Sequence, residues 1–271
     1  MKPTALITGA SSGIGLELAR LFARDGYDLV LVARNQAALE RLAGELRAQH
    51  QAQVTVLVQD LALPGAAESV FRQVQAHALA VDVLVNNAGT QVYSPFAPSD
   101  LAQTLALLQV NISTLVHLTH LCLPGMLQRG HGRILNLGSI GSFVPGPLNS
   151  VYCASKAFVL SFSEAIAAEL SHSGVSVTAL CPGPTDTAFV TRHSMQGVRL
   201  FRHTMSPQRV AQIGYRALQA GRPLVIPGLG NQLEVLFFQL AAPFVGLLPP
   251  KVFMAIGGWV MGRGKSNLSR P

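Results

Sequence analysis

Tyr152 and Lys156 stand four residues apart, a spacing that puts both on one face of any helix that carries them. A phenol with an ordinary pKa of about 10 exchanges protons poorly at neutral pH. A neighbouring ammonium favours the phenolate and lowers that pKa, so the pair can pass a proton to or from a substrate oxygen. Ser139, a short way upstream, adds a hydroxyl that can hydrogen-bond the same oxygen. A Tyr and a Lys at this spacing also describe a structural pair on an amphipathic helix, so the rest of the chain has to decide.

A second group of residues points to a phosphate-bearing ligand. Thr8-Gly9-Ala10-Ser11-Ser12-Gly13-Ile14-Gly15 follows an apolar run and precedes a helical pattern. Glycine supplies the positive φ and the close backbone approach that a tight strand-to-helix turn needs. The helix that opens there turns free N–H groups and a positive dipole end toward a pyrophosphate, and Ser11 and Ser12 add hydroxyl donors. The reading is a dinucleotide site. At the end of the second strand stands Ala33-Arg34-Asn35, without the carboxylate that would bind the ribose hydroxyls of NAD. Arg34 suits a 2′-phosphate, so NADP(H) is expected in preference to NAD(H). Asp60, in Gln59-Asp60-Leu61, is placed to accept from an adenine amino group or, as the other reading, to cap a turn.

These groups need a frame, and the hydrophobic pattern predicts one. Apolar runs at 4–8, 28–33, 54–58, 82–86, 133–137, 175–180 and 223–226 read as strands. Between them, helical patterns fall at 14–24, 36–49, 65–79, 101–121, 151–171 and 207–220. Short apolar strands alternating with helices indicate parallel strands buried on both faces. The expected fold is α/β: one doubly wound, Rossmann-like domain over residues 1–228 with a parallel sheet of about seven strands. Residues 229–271 form an apolar C-terminal extension.

Composition limits the partners. Of 271 residues 49% are hydrophobic and 12% charged, which excludes a disordered chain. The net charge of +7 raises the question of nucleic acid, but the basic residues are scattered and aromatics reach only 6%, so no nucleic-acid partner is expected. Cys122, Cys153 and Cys181 lie far apart, which fits reduced thiols in the cytoplasm. Met1-Lys2-Pro3 runs straight into the first strand, and no secretory leader is expected.

Taken together, the chain resembles the classical short-chain dehydrogenases/reductases. The resemblance is carried by Thr8–Gly15, Asp60-Leu61, Asn86–Gly89, Asn111, Ser139, Tyr152-x3-Lys156 and Pro182-Gly183, in family order over most of residues 1–227. It implies Tyr152 as general acid/base, Lys156 as the residue that binds the nicotinamide ribose and lowers the tyrosine pKa together with the oxidised nicotinamide, and Ser139 as the carbonyl-positioning hydroxyl. It implies that Asn111 holds a water extending the proton relay to Lys156, and that Asn87, Ala88 and Gly89 line the adenosine ribose side. Pro182, Gly183 and Thr187 would shape the nicotinamide pocket. Members that prefer NADP often carry a basic residue inside the glycine turn; here that place is Ser12, so the preference rests on Arg34. Thr185 and Asp186 stand where an aliphatic residue often sits.

The expected reaction is interconversion of a carbonyl and a secondary alcohol on an apolar substrate. Phe143 and Val144, near the serine, and Phe189 and Val190, in the segment that is the substrate lid in the family, suggest the apolar character. His193 and His203 fall in the same segment. A 3-ketoacyl-carrier-protein reductase is the alternative enzyme, and a non-catalytic NADP-binding sensor the alternative of another class. His117 and His120 have metal-compatible spacing but no third ligand nearby, so no metal is expected, and Cys153 reads as a packing residue. The extension has one acid, Glu234, and four bases, Lys251, Arg263, Lys265 and Arg270. It is read as a lid over the substrate, as a contact in a homodimer or homotetramer, or as a membrane-surface segment. In the last account Leu236, Phe237, Phe238, Phe244 and Trp259 meet the lipid; Pro243, Pro249, Pro250 and Lys251 argue against a spanning helix.

Overall fold

The computed structural model describes residues 2–187 and 204–245. Phe189, Val190, His193, His203 and the part of the extension holding Lys251, Trp259, Arg263, Lys265 and Arg270 lie outside the described residues.

The strands are β1 (Thr4–Thr8), β2 (Asp28–Ala33), β3 (Val54–Val58), β4 (Val83–Asn86), β5 (Gly132–Leu137), β6 (Val175–Leu180) and β7 (Leu224–Val225). They form a seven-stranded sheet in the order β3-β2-β1-β4-β5-β6-β7, with every pairing parallel. β1, β2 and β4 are buried almost throughout, as apolar runs covered on both faces require. One core layer joins the sheet to α1 (Gly13–Arg24), α2 (Gln36–His50) and α7 (Pro207–Gln219), centred on Leu18, Phe22, Leu39 and Leu218. The opposite layer joins it to α3 (Ala66–Ala76), α5 (Thr114–Arg129) and α6 (Ser150–Glu169), centred on Val70, Leu118 and Met126. Strand order reverses between β1 and β4, and the crevice beyond their carboxyl ends is where ligands collect in such sheets.

Three departures from the expected elements bear on function. The helix expected over 101–121 is α4 (Leu101–Leu108), a π-turn at Gln109–Ser113 and then α5, which runs on to Arg129. Pro124 does not end it: the proline is exposed, while Leu118, Cys122 and Met126 continue one buried stripe through its turn. A 3-10 turn, Ile140–Phe143, follows Ser139 directly, too short to show a hydrophobic period. The seventh strand shrinks to Leu224–Val225 because Pro223, which lacks an N–H, and Pro227 bracket it. Beyond it, the extension begins as α8 (Leu229–Val245), so its first part is a helix.

Candidate active site

The crevice is a cavity of about 950 Å³, and its wall collects residues from almost every expected motif. At one end is the glycine turn. Gly9 has a φ of +67°, and a Cβ there would come within 2.7 Å of the Asn87 amide nitrogen. Gly13 has a φ of +59°. A Cβ on Gly15 would overlap the same Asn87 amide and the Gly9 carbonyl, and Gly15 itself is not on the cavity wall. Asn87 explains this crowding: its Nδ2 donates to the Thr8 carbonyl at 2.8 Å and to the Gly9 carbonyl at 3.2 Å. Thr8 Oγ1 accepts the Asn87 and Ala88 amides, both at 3.0 Å, and donates to the Val85 carbonyl. The turn is therefore laced to the end of β4, while Ser11, Ser12, Gly13 and Ile14 face the cavity at the N-terminus of α1. The Ser12 side chain forms no cap bond to that helix, and no acidic residue occupies the first turn.

Arg34 and Asp60 share this end. Arg34 Nη1 lies 3.7 Å from Asp60 Oδ2, with the arginine side chain 67% exposed. Asp60 Oδ1 accepts the Ala62 amide at 3.0 Å, so the turn-cap reading of Asp60 describes one of its oxygens and the cavity wall claims the residue as well. Leu61 is buried on the same wall, and its carbonyl accepts Thr114 Oγ1 at 2.9 Å, which fixes the start of α5.

At the other end Ser139, Tyr152 and Lys156 converge. The Ser139 hydroxyl accepts the Gly141 amide at 3.1 Å and shares a hydrogen bond with Tyr152. Its turn is tied to α6, because the Ser139 amide donates to Ser142 Oγ at 3.2 Å and Ser142 Oγ donates to the Lys156 carbonyl at 2.8 Å. Lys156 is buried, with Nζ donating to the Leu137 carbonyl at 2.6 Å and lying 5.8 Å from the centroid of the Tyr152 ring. Burial pushes the Lys156 ammonium down to about 8. Burial also pushes the Tyr152 phenol above its usual value, with the Ser139 hydrogen bond pulling it back. In the protein by itself, desolvation outweighs the hydroxyl at this phenol.

Asn111 has its side chain committed to its neighbours. It is buried and absent from the cavity wall, with Nδ2 donating to the Thr90 carbonyl and to Ser155 Oγ, both at 3.0 Å, and Oδ1 accepting the Thr90 amide at 3.0 Å. Its side chain clamps the loop after β4 to α6, and Ser155 Oγ donates in turn to the Tyr152 carbonyl at 2.7 Å. Gly89 lies beside Asn111 and Lys156, since a Cβ there would stand in ordinary contact, 3.5 Å from Asn111 Oδ1 and from Lys156 Nζ. Pro182, Gly183, Thr185 and Thr187 line the cavity after β6, with Thr185 Oγ1 donating to the Gly183 carbonyl at 3.0 Å. Val144 is on the wall, whereas Phe143 packs beside Leu160, Ala179 and Cys181 away from it.

Several contributors escaped sequence reasoning. Asn136 Oδ1 accepts Asn86 Nδ2 at 2.9 Å and Asn136 Nδ2 donates to Ser163 Oγ at 2.9 Å, a buried polar link from β4 through β5 to α6. An asparagine inside the apolar run Arg133–Leu137 was the available signal. Glu234, Val235 and Phe238 of α8 close part of the wall; the lid reading covered the extension as a whole, and only the helix shows which of its residues face inward. Cys153 is buried and also touches the cavity, and burial pushes its thiol up to about 11. His117 Nε2 lies 3.3 Å from Glu68 Oε1, and no group of three metal-ligating side chains occurs among the described residues.

Comparison with known proteins places this geometry. The family model for short chain dehydrogenases matches residues 3–196. The ketoacyl reductase HetN of Nostoc sp. is 31% identical over 216 residues, 80% of this chain and 75% of that protein. The sulfoacetaldehyde reductase 2 of Chromohalobacter salexigens is 39% identical over 191 residues, 70% of this chain and 75% of that one. A short-chain dehydrogenase from Sphingobium yanoikuyae, solved in complex with NADPH, superposes with a TM-score of 0.80 at 32% identity, covering 92% of this chain and 97% of that one. The matched region spans the glycine turn, Ser139, Tyr152 and Lys156, and the chain belongs to the short-chain dehydrogenase/reductase family of oxidoreductases.

Proposed function

We propose that the protein is an NADP(H)-dependent reductase that interconverts a ketone or aldehyde and the corresponding alcohol on an apolar substrate. The observation that carries this reading is the convergence of Ser139, Tyr152 and Lys156 on the same cavity whose far end is walled by the glycine turn and Arg34. The wall fits a nicotinamide dinucleotide in two respects. The glycine turn puts Gly9 and Gly13, which carry no side chain, on it beside the Ser11 and Ser12 hydroxyls, and the amide-rich N-terminus of α1 opens onto it without an acidic side chain. Ser11, Ser12, Gly13 and Ile14 would hold the pyrophosphate, Arg34 the 2′-phosphate, and Asp60 and Leu61 the adenine side. Asn87, Ala88 and Gly89 would flank the adenosine ribose, with Lys156 at the nicotinamide ribose and Pro182, Gly183 and Thr187 at its ring. When bound, the cofactor supplies or takes up the hydride.

The chain's own part is proton transfer and orientation. In reduction Tyr152 gives its hydroxyl proton to the carbonyl oxygen, while the Ser139 hydroxyl, itself polarised by the Gly141 amide, holds that oxygen in place. The Lys156 ammonium stabilises the phenolate left on Tyr152, and a proton from water restores the phenol. Asn111 contributes as a positioning residue, holding Ser155 and through it the first turn of α6. Ile140, Val144, Val235 and Phe238 give the substrate end its apolar lining. The NADPH complex of the Sphingobium relative supports the cofactor choice. We place the activity in the cytoplasm, on the support of three free, buried cysteines.

The name of the Nostoc relative favours a second reading, reduction of a 3-oxoacyl thioester. A panel of steroid, aromatic and aliphatic ketones and one 3-oxoacyl thioester, read by NADPH oxidation, tests both. Turnover of the neutral ketones supports the first reading, preference for the thioester the second, and NADPH binding without any turnover leaves a cofactor-binding sensor.

A further inference from the structure

α8 has two faces of different kinds. Leu229, Leu233, Leu236, Phe237 and Leu240 recur at helical spacing on its exposed side. Asn231, Glu234, Val235 and Phe238 fall on the opposite side; Val235 is buried and the last three form cavity wall. The helix is seated firmly at the substrate end. Asn231 packs against Gly183 so closely that a Cβ there would overlap its amide, and Asn231 Nδ2 donates to the Pro227 carbonyl at 2.6 Å. Gln232 Nε2 donates to the Ile226 carbonyl at 2.8 Å, and the helix packs on the 3-10 turn that begins immediately after Ser139.

Glu234 therefore stands in the cavity wall beside Val235 and Phe238, on the helix packed against the turn after Ser139. The other acid on the wall, Asp60, sits at the opposite end with Arg34 within 3.7 Å. Glu234 makes no hydrogen bond or ion pair among the described residues, and burial beside Val235 and Phe238 raises its pKa. A carboxylate kept for solvation alone would belong on the exposed side, where Gln232 and Gln239 stand among the leucines and Phe237. An unpaired charge in a partly dehydrated wall acts on whatever shares the chamber, because the local dielectric is low.

We propose that Glu234 determines substrate specificity: it favours carbonyl compounds bearing a hydrogen-bond-donating hydroxyl or ammonium group away from the carbonyl, and rejects those bearing a carboxylate or sulfonate inside the cavity. This rests on the reductase reading above. Specificity then comes as much from repulsion of the wrong charge as from attraction of the right one.

The test is a set of aliphatic ketones of equal length ending in methyl, hydroxyl, ammonium or carboxylate, assayed with NADPH at pH 7. The wild type is expected to favour the ammonium over the carboxylate ketone by at least about 10-fold in kcat/KM. Glu234→Gln should bring that ratio within about 3-fold and Glu234→Lys should invert it, each ratio being taken within one variant. Equilibrium binding of the four product alcohols should follow the same order. Turnover with a ratio unmoved by Glu234→Gln overturns the role of Glu234 alone; absence of turnover for all four ketones, and for the wider panel, overturns the reductase reading with it.

Discussion

Lys156 holds an ammonium where water is scarce, and the contact that keeps it there, the Leu137 carbonyl at 2.6 Å, is neutral. Its pKa of about 8 therefore lies below the ordinary lysine range and close to working pH. Since reduction consumes a proton through Tyr152, kcat/KM for reduction should be level below about pH 8 and fall above it as Lys156 deprotonates. A pH profile of the free enzyme checks this, and a rate that stays level beyond pH 9.5 would remove Lys156 from the proton path. That Ser139, Tyr152 and Lys156 belong to one site was legible from the whole set of motifs in order, since a Tyr and a Lys four apart also describe a structural pair. The burial that sets their pKa values was not, since it depends on strands and turns distant in the chain. Asn111 shows the same division: its place was readable, but its commitment to Thr90 and Ser155 needs the fold.

The elements that hold these residues are themselves held by buried polar bonds. Asn136 joins β5 to β4 through Asn86 and to α6 through Ser163, whose hydroxyl donates to the Val159 carbonyl at 2.6 Å. Asn136→Ala removes two buried hydrogen bonds, although Asn86 Nδ2 keeps Thr119 Oγ1 and Ser163 Oγ keeps the Val159 carbonyl, and a loss of about 1–3 kcal/mol is expected in denaturant unfolding. A loss below about 0.5 kcal/mol would show that the link is not structural. Strands and most helices were legible from their periods. The π-turn at Gln109–Ser113, the 3-10 turn after Ser139 and the two faces of α8 were not, because each is a local break that tertiary packing selects. α8 also gives the extension a definite geometry: its inner side closes the cavity, so a contact with a second copy or a lipid surface through the described part falls on the Leu229–Leu240 stripe.

At the scale of the whole molecule, the low charge and high hydrophobic content follow from a seven-stranded parallel sheet covered on both sides. The reversal of strand order between β1 and β4 opens the crevice, and its two ends divide the labour between cofactor grip and proton transfer. A ligand bound to the folded state alone at 100 times its Kd adds about 2.7 kcal/mol, or roughly 5–10 °C in Tm for a domain this large. NADPH should raise the Tm more than NADH at equal concentration, and Arg34→Asp should reverse that order; equal shifts in both proteins would take Arg34 out of the cofactor site. The central claim is that this molecule passes a proton through Tyr152. Tyr152→Phe removes one oxygen, and steady-state reduction of the best ketone of the panel, with NADPH affinity measured beside it, tests the claim most directly. The account expects kcat to fall by about 10²–10⁴-fold with NADPH binding unchanged; a variant that keeps kcat within about 3-fold of the wild type would contradict it.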